Sequence, residues 1–276
     1  MQIVGAIDLG EGSEGVAAFT GSLAERLDAT ADLVHVCGSE QDADAIDGKR
    51  ARLETLMGSW PESRHGRARC EPGTPVEVLL ALTREYDAVV VRPRSGRFWE
   101  HLLLGSVAAH VVRKAECPVF VCRGAPLPES PRMLVGLDVR RGTHERLMDH
   151  AKDWVPRLGG TLDAVYIDMT RVPFIRDATV RRAALSELET QRERERRLLE
   201  RTLAVLPTDH RGEAAVVEGA GPGEGLVEAS EDYDLLLVGS LERQGVVQHL
   251  IGSVAEYVVT RAESNVLTFP SQLDGD

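Results

Sequence analysis

The sequence predicts an α/β protein built from two tandem domains, each a parallel sheet with helices on both faces. An internal repeat, an alternation of aliphatic runs with helical segments, and a joint rich in Pro and Gly indicate this class. The chain has 276 residues, which suits two domains of ordinary size. We place the first domain at residues 1–125 and the second at 131–276, because GAPLPESP at 124–131 has the composition of a linker.

The internal repeat carries most of this prediction. Residues 105–119 read GSVAAHVVRKAECPV and residues 252–266 read GSVAEYVVTRAESNV, with nine identities in fifteen positions. The copies are 147 residues apart here but 130 apart at their starts, where IVGAIDLGEGS (from residue 3) matches MLVGLDVRRGT (from residue 133). The second copy therefore holds 17 additional residues, and the charged stretch 176–201 is the natural place for them.

Five strands are predicted in each copy, because near-continuous β-branched and aliphatic runs are typical of parallel strands buried on both faces. In the first copy they lie at 3–8, 31–37, 67–71, 87–92 and 118–122. In the second copy the matching runs are MLVGLD, LDAVYID, AAVVE, DLLLVG and NVLTF. Strands that alternate with helices form βαβ units, so each copy is expected to be doubly wound.

Helices are predicted between these strands. Residues 14–27 carry apolar side chains at spacings that share one face, and Ser13 is placed to cap that helix. Residues 75–84 and 222–231 form the next helix in each copy, because each segment opens with a Pro that suits a first helical turn. A last helix is expected at 106–115.

The charged stretch 176–201 has two interpretations. The one we favour is a solvated helix laced with ion pairs, in which Ala184, Leu188 and either Leu198 or Leu199 face inward. The alternative is a charged helix that binds a partner.

Composition limits the classes of function. A net charge of −12 and a pI near 5.2 repel phosphate backbones, so no nucleic acid partner is expected. No apolar run approaches the roughly 18 to 20 residues of a membrane span, and the start MQIVGAIDLG has no signal-peptide pattern, so we expect a cytoplasmic protein without membrane contact. Four cysteines in the first copy have no metal or disulfide spacing and are expected to be free thiols: Cys37, Cys70, Cys117 and Cys122.

The first strand ending in Asp and the segments GSVAAHVVRKAECPVFV and GSVAEYVVTRAESNVLTF resemble the universal stress protein family. The resemblance covers essentially the whole chain, twice. It implies a Rossmann-like (HUP-type) five-stranded parallel sheet in each copy and an antiparallel pairing of last strands between domains. In a tandem chain, strands 118–122 and 265–269 would form that pair internally. A homodimer and protein partners of unknown identity are further expectations.

The resemblance also implies a nucleotide loop in which Gly, two residues, Gly, nine residues and Gly precede Ser or Thr. Glycines let backbone N–H groups approach phosphates, and the helix start adds a favourable dipole. In the second copy Gly239, Gly252 and Ser253 match this pattern, whereas Glu242 stands at the middle glycine. A carboxylate held about 4 Å from a phosphate charge costs about 4 kcal/mol, so we expect Glu242 to weaken binding at least about tenfold.

The first copy departs further from the loop pattern. Gly105 and Ser106 match its end, but Arg92 and Ser95 stand at the first two glycine positions. Pro93 also removes a backbone donor. The loop is basic, which attracts anions, although an Arg-rich solvated loop is the simpler interpretation.

The strand ends supply the base and ribose side of the site that the resemblance implies. These positions are Asp8 and Val36 in the first copy, and Asp138 and Ile167 in the second. As strand-end caps, the two aspartates would serve the backbone alone.

We therefore predict a regulatory binding module of the stress response, with ATP or a related nucleotide as the candidate ligand, favoured in the second domain. The alternative is a degenerate module that binds no nucleotide and acts through protein association. The sequence has no Walker lysine, GxSxG elbow or metal-ligand spacing, so no catalytic residue and no metal cofactor are predicted. Slow incidental ATP hydrolysis is the remaining enzymatic alternative.

Overall fold

The computed structural model describes residues 1–38, 42–93, 107–140, 145–171, 176–239 and 253–270. The first copy forms β1 (Gln2–Ala6), α1 (Ser13–Arg26), β2 (Thr30–Cys37), α2 (Ala43–Met57), β3 (His65–Pro72), α3 (Pro75–Glu85), β4 (Ala88–Val91), α4 (Val107–Lys114) and β5 (Val119–Val121). The second copy forms β6 (Arg132–Gly136), α5 (Glu145–Leu158), β7 (Thr161–Asp168), α6 (Ala178–Leu203), β8 (Arg211–Glu218), α7 (Pro222–Ala229), β9 (Leu235–Gly239), α8 (Ser253–Arg261) and β10 (Asn265–Phe269).

The strands of both copies form one sheet in the order β3-β2-β1-β4-β5-β10-β9-β6-β7-β8. Neighbouring strands are parallel within each copy. The copies meet at β5 and β10, which pair antiparallel with Phe120 opposite Leu267. Each copy thus has the strand order of a doubly wound sheet, and the predicted fold class is confirmed.

The two copies share one apolar layer on the face of the sheet that α1, α2, α5 and α6 cover. At its centre the ring of Phe120 lies 6.0 Å from that of Phe19 and 5.7 Å from that of Trp154. Trp154 lies 6.2 Å from the ring of Phe269, which ends the last strand of the second copy. Because these rings come from both copies, the halves are packed as one body on this face.

One arginine of the first copy forms hydrogen bonds with the linker and with the second copy. Arg26, in the last turn of α1, donates to the backbone carbonyls of Glu129 at 3.0 Å and Leu127 at 3.1 Å, and also to that of Pro128. It donates as well to the carbonyl of Leu158, at the end of α5, at 2.7 Å. The guanidinium thereby satisfies carbonyls that a helix end and a linker otherwise leave without a donor.

The prediction that Ser13 caps α1 is wrong. Gly12 is the N-cap, with a left-handed φ of 88°, and Ser13 is the first helical residue. The Ser13 hydroxyl donates to the Gly10 carbonyl at 2.8 Å and to Asp8 Oδ1 at 3.3 Å. The left-handed turn directs the hydroxyl back to the loop after β1 rather than to the free amides of the helix.

The inserted residues lengthen one helix. α6 has 26 residues, whereas its counterpart α2 has 15. Asp177 caps α6 by accepting from the amides of Thr179 and Val180. Leu199 is fully buried and Leu198 is 42% exposed, which decides the inward position between the two leucines. Ala184 and Leu188 are half-buried, whereas the other residues in the first three turns of α6 are exposed.

Candidate nucleotide crevices

We use the word crevice for the space at the carboxyl ends of two strands in each copy: β1 and β4 in the first copy, and β6 and β9 in the second. Strand order reverses at these points, and open α/β sheets bind ligands there. The sequence-predicted Asp8 and Val36 lie at the ends of β1 and β2, next to each other in the sheet. Asp138, Ile167 and Gly239 lie likewise at the ends of the adjacent strands β6, β7 and β9.

Arg92 occupies the crevice of the first copy. It follows β4, and its Nη1 donates to the backbone carbonyl of Glu11 at 3.0 Å. A Cβ on Gly12 would lie 1.0 Å from Nη1, so the guanidinium rests directly against the glycine that opens α1. The side chain therefore reaches from the end of β4 to the loop after β1.

The β1 loop of the first copy is organised by Asp8. Its Oδ1 accepts from the amide of Gly10 at 2.9 Å and from the hydroxyl of Ser13. Both bonds are local, as the strand-end cap interpretation of this residue requires. The predicted Ser95, Gly105 and Ser106 lie outside the described residues.

The second copy has no side chain at the position that corresponds to Arg92. Gly239 stands there, and a Cβ on it would lie 3.6 Å from Leu147, which is ordinary contact. Asp138 Oδ1 accepts from the amide of Arg140 at 3.2 Å, and Ile167 is buried. Ser253 is exposed and begins α8. Glu242 and Gly252 lie outside the described residues.

A cluster of charged side chains, which the sequence analysis did not find, borders the crevice of the second copy. Asp168 ends β7 with no exposed surface and accepts from Arg192 Nε at 2.9 Å and Arg140 Nη2 at 3.3 Å. Arg140 Nε also donates to Glu195 Oε1 at 2.6 Å, and its guanidinium lies 5.0 Å from the ring centre of Tyr166. These bonds tie the β6 loop to α6 and to β7.

Hydrogen bonding favours the charged forms of Asp168 and Arg140. Burial by itself would raise the pKa of Asp168, but hydrogen bonds from Thr170 and Arg192 hold that pKa below its ordinary value. The hydrogen bond to Glu195 raises the pKa of Arg140. The spacing of Arg192 and Glu195 on one face of α6 is a sequence signal, but nothing local indicates that Arg140 meets them.

The cysteines are free thiols. Burial raises the pKa of Cys117 to about 12 and that of Cys122 to about 11. Among the described residues, no group of His, Cys, Asp or Glu side chains is arranged to hold a metal ion. In the same part of the chain, no helix has the length and apolar character that crossing a membrane requires.

Two doubly wound halves that join into one sheet through their last strands are the architecture that the resemblance to one family implies. The model of the universal stress protein family matches residues 1–123 and again residues 130–270. The chain belongs to the universal stress protein family, in its two-copy form.

The curated relatives include two universal stress proteins of Mycobacterium tuberculosis. Universal stress protein Rv2623 is 29% identical over 206 residues, which cover 71% of this chain and 65% of the relative. Universal stress protein Rv2005c is 30% identical over 202 residues, which cover 70% of this chain and 65% of the relative. The matched segment therefore spans just under two thirds of each relative's length.

Two solved structures share the fold. A functionally unknown protein, PA1789 from Pseudomonas aeruginosa PAO1, has a TM-score of 0.68 at 17% identity and covers 98% of this chain and 92% of its own. A universal stress protein from Archaeoglobus fulgidus has a TM-score of 0.61 at 16% identity and covers 99% of this chain and 97% of its own. At these identities the likeness concerns the fold alone.

Proposed function

We propose that this universal stress protein is a regulatory binding module in which the second copy binds ATP or a related nucleotide and the first copy does not. One observation carries the proposal. Arg92 lies across the crevice of the first copy, whereas Gly239 leaves the corresponding position in the second without a side chain. The ligand would meet Asp138 and the end of β7 on one side and the start of α8 on the other.

The closure of the first crevice has a steric and an electrostatic aspect. A guanidinium attracts phosphate, but here it is held by the carbonyl of Glu11 and packs where a bound nucleotide would pass. A ligand would have to displace Arg92 and replace that hydrogen bond, which is worth about 1.5–3 kcal/mol for a charged donor. We therefore expect affinity in the first copy to be at least about tenfold below that in the second.

The alternative function is protein association without a nucleotide. Glu242 in place of the middle loop glycine favours it, because a carboxylate near a phosphate is repulsive. Neither function requires catalysis, and we propose none.

The test measures ATP binding by isothermal titration calorimetry on the full chain and on two reciprocal variants. We expect one ATP per wild-type chain, and at least a tenfold loss in Gly239→Arg, which gives the second copy the residue of the first. Arg92→Gly is expected to open a second, weaker site.

Gly48→Arg is the matched control, because it adds the same charge at a helix position where a Cβ has no neighbour within 4 Å. It should bind ATP like the wild type. If the wild type does not bind ATP but Glu242→Gly does, Glu242 blocks the site and the association function replaces the nucleotide function.

A further inference from the structure

Two of the four cysteines lie next to each other in the fold, although they are distant in sequence. Cys37 ends β2, and Cys70 belongs to β3, which pairs with β2. Cys70 stands opposite His35, so Cys37 lies two residues further along β2 on the same face of the sheet. A side-chain hydrogen bond joins Cys70 and Cys37. The structure therefore places two thiols side by side beneath the helix α2.

The helix α2 contacts both sulfurs. Cys70 Sγ lies 3.8 Å from the carbonyl oxygen of Ile46. Cys37 Sγ lies 4.0 Å from Nζ of Lys49, which donates to it. Ile46 and Lys49 are three residues apart on α2, so both sulfurs lie against one face of the helix. An ammonium group beside a sulfur favours the thiolate, which is the nucleophile in disulfide formation.

The two thiols differ in their access to solvent. Cys70 is half-buried and lines a groove of about 510 Å³ between β3 and α2, which we call the β3 groove. Cys37 is only 3% exposed. A small oxidant that enters the β3 groove therefore meets the sulfur of Cys70 first.

The other two cysteines are internal controls. Cys117 and Cys122 are buried, and their sulfurs contact the carbonyl of Pro118 at 3.6 Å and the amide of Gly124 at 3.2 Å. In the described part of the chain, neither makes a hydrogen bond to a second sulfur. The same protein thus contains one thiol pair and two separate buried thiols.

The thiol of Cys70 is weakly acidic. Burial and the adjacent Cys37 raise its pKa above the ordinary value, and Arg50 and Lys49 oppose part of that rise. At neutral pH Cys70 is therefore mostly a neutral thiol, and it reacts with an oxidant slowly because the thiolate is the reactive form. Such a pair responds to an excess of oxidant.

The position of the pair permits a bond between the sulfurs. A disulfide needs the two sulfurs closer together than a hydrogen bond leaves them, so the strands must shift. Among the described residues β3 pairs with β2 alone, which leaves its outer side free to move. The pairing of the two strands is already irregular between Ala31 and Leu33.

We propose that Cys70 and Cys37 form a reactive dithiol site that hydrogen peroxide converts into a disulfide. The thiolate of Cys70 attacks one peroxide oxygen, which breaks the O–O bond, forms a sulfenic acid on Cys70 and releases hydroxide. The thiolate of Cys37 then attacks the sulfur of Cys70, forms the S–S bond and expels a second hydroxide. The hydroxides take up the protons that the two thiols release, so one peroxide is reduced to two waters.

The test exposes the reduced full chain to hydrogen peroxide, unfolds it and alkylates the remaining thiols. Peptide mass spectrometry without reduction should show a cross-link between Cys37 and Cys70, with the loss of two hydrogen atoms per chain. Cys117 and Cys122 should remain alkylated. This measurement needs no variant, so it decides the proposal even where a substitution impairs folding.

Cysteine variants separate the two steps. Cys37→Ser should stop the reaction at a sulfenic acid on Cys70, which dimedone captures. Cys70→Ser should prevent oxidation of Cys37, because Cys37 is not accessible from the groove. Cys122→Ser removes a buried thiol outside the pair and should leave the cross-link unchanged.

A lysine variant tests the role of the ammonium group. Lys49→Met should slow formation of the cross-link at least threefold, because it removes the charge beside Cys37. Lys152→Met, which removes the same charge from an exposed position of α5, is the matched control and should not change the rate.

Three results would overturn the proposal. They are the absence of a Cys37–Cys70 cross-link at full oxidation, oxidation of all four cysteines at equal rates, and a disulfide that joins two chains instead of forming within one. The ATP titration is carried out under reducing conditions, so failure of one proposal leaves the other standing.

Discussion

The two copies share one arrangement of hydrogen bonds near the outer edge of the sheet, and they differ at the crevices. In the first copy Tyr86 donates to Asp32 Oδ2 at 2.5 Å, while Asp32 Oδ1 accepts from the amide of Arg67 at 2.9 Å. In the second copy Tyr233 donates to Asp163 Oδ2 at 2.7 Å, and Oδ1 accepts from an amide of β8 at 2.8 Å. Duplication preserved the bonds that join the second and third strands to the fourth.

The carboxyl ends of the strands diverged. Cys37 ends β2 with its Sγ 4.0 Å from Lys49 Nζ, whereas Asp168 ends β7 within a cluster that includes Arg192. Arg92 follows β4, whereas Gly239 ends β9. The hydrogen bonds that hold the strands together have been kept in both copies, which indicates that the fold tolerates little change there. The residues at the carboxyl ends of the strands can change, and with them the ligand chemistry, without altering the fold.

The largest expected difference in stability is between substitutions at the strand ends that differ in the two copies. Asp168→Ala should destabilise the protein by about 3 kcal/mol, because it removes the buried carboxylate that accepts hydrogen bonds from Arg140, Arg192 and the amide of Thr170. Cys37→Ala should cost about 1 kcal/mol, as expected for loss of a small buried group. Urea unfolding monitored by circular dichroism measures both. Equal costs at the two positions would show that the charged cluster adds nothing to stability.

The Tyr–Asp hydrogen bond should contribute equally to the free energy of unfolding in both copies. Tyr86→Phe and Tyr233→Phe each remove a hydrogen bond to a carboxylate and should each cost about 2 kcal/mol. Tyr257→Phe, which alters a phenol that lies beside Arg261 on α8, is the control and should be nearly neutral. A loss of stability in only one of the two Tyr→Phe variants would contradict the equivalence of the two hydrogen bonds.

The smallest expected effect is a pH dependence in the second copy. His150 lies in α5 where α1 has Phe19, and its ring stacks on Phe269 at 4.9 Å. Burial lowers the pKa of His150 below its ordinary 6.5, so the folded state binds fewer protons than the unfolded state. Its contribution to stability is therefore present above pH 6.5 and lost as the pH falls through the folded pKa.

His150→Phe should flatten the decline in unfolding free energy between pH 7.5 and 5.5. His210→Phe serves as the comparison, because it removes a half-buried imidazole that bonds to the Gly160 carbonyl and is not stacked on Phe269. If His150→Phe and wild type decline in parallel, other groups account for the pH dependence.

The positions of three predicted site residues at the ends of strands could be derived from the sequence alone. Asp138, Ile167 and Gly239 follow or end predicted parallel strands, and the carboxyl ends of such strands meet at one edge. The direction of the Arg92 side chain could not be predicted, because its partner, the carbonyl of Glu11, is 81 residues away. The capping role assigned to Ser13 failed because the backbone turn at Gly12 redirects the hydroxyl.

The sequence by itself determined the duplication, the strands and the doubly wound order, because periodicity and internal repeats are properties of the chain read along its length. Tertiary structure alone decided that Arg92 bonds to the carbonyl of Glu11, that Arg140 and Arg192 converge on Asp168, and that both copies share an apolar layer. These contacts join residues that are distant in sequence. Their geometry depends on side-chain conformations that packing selects, which no local pattern encodes.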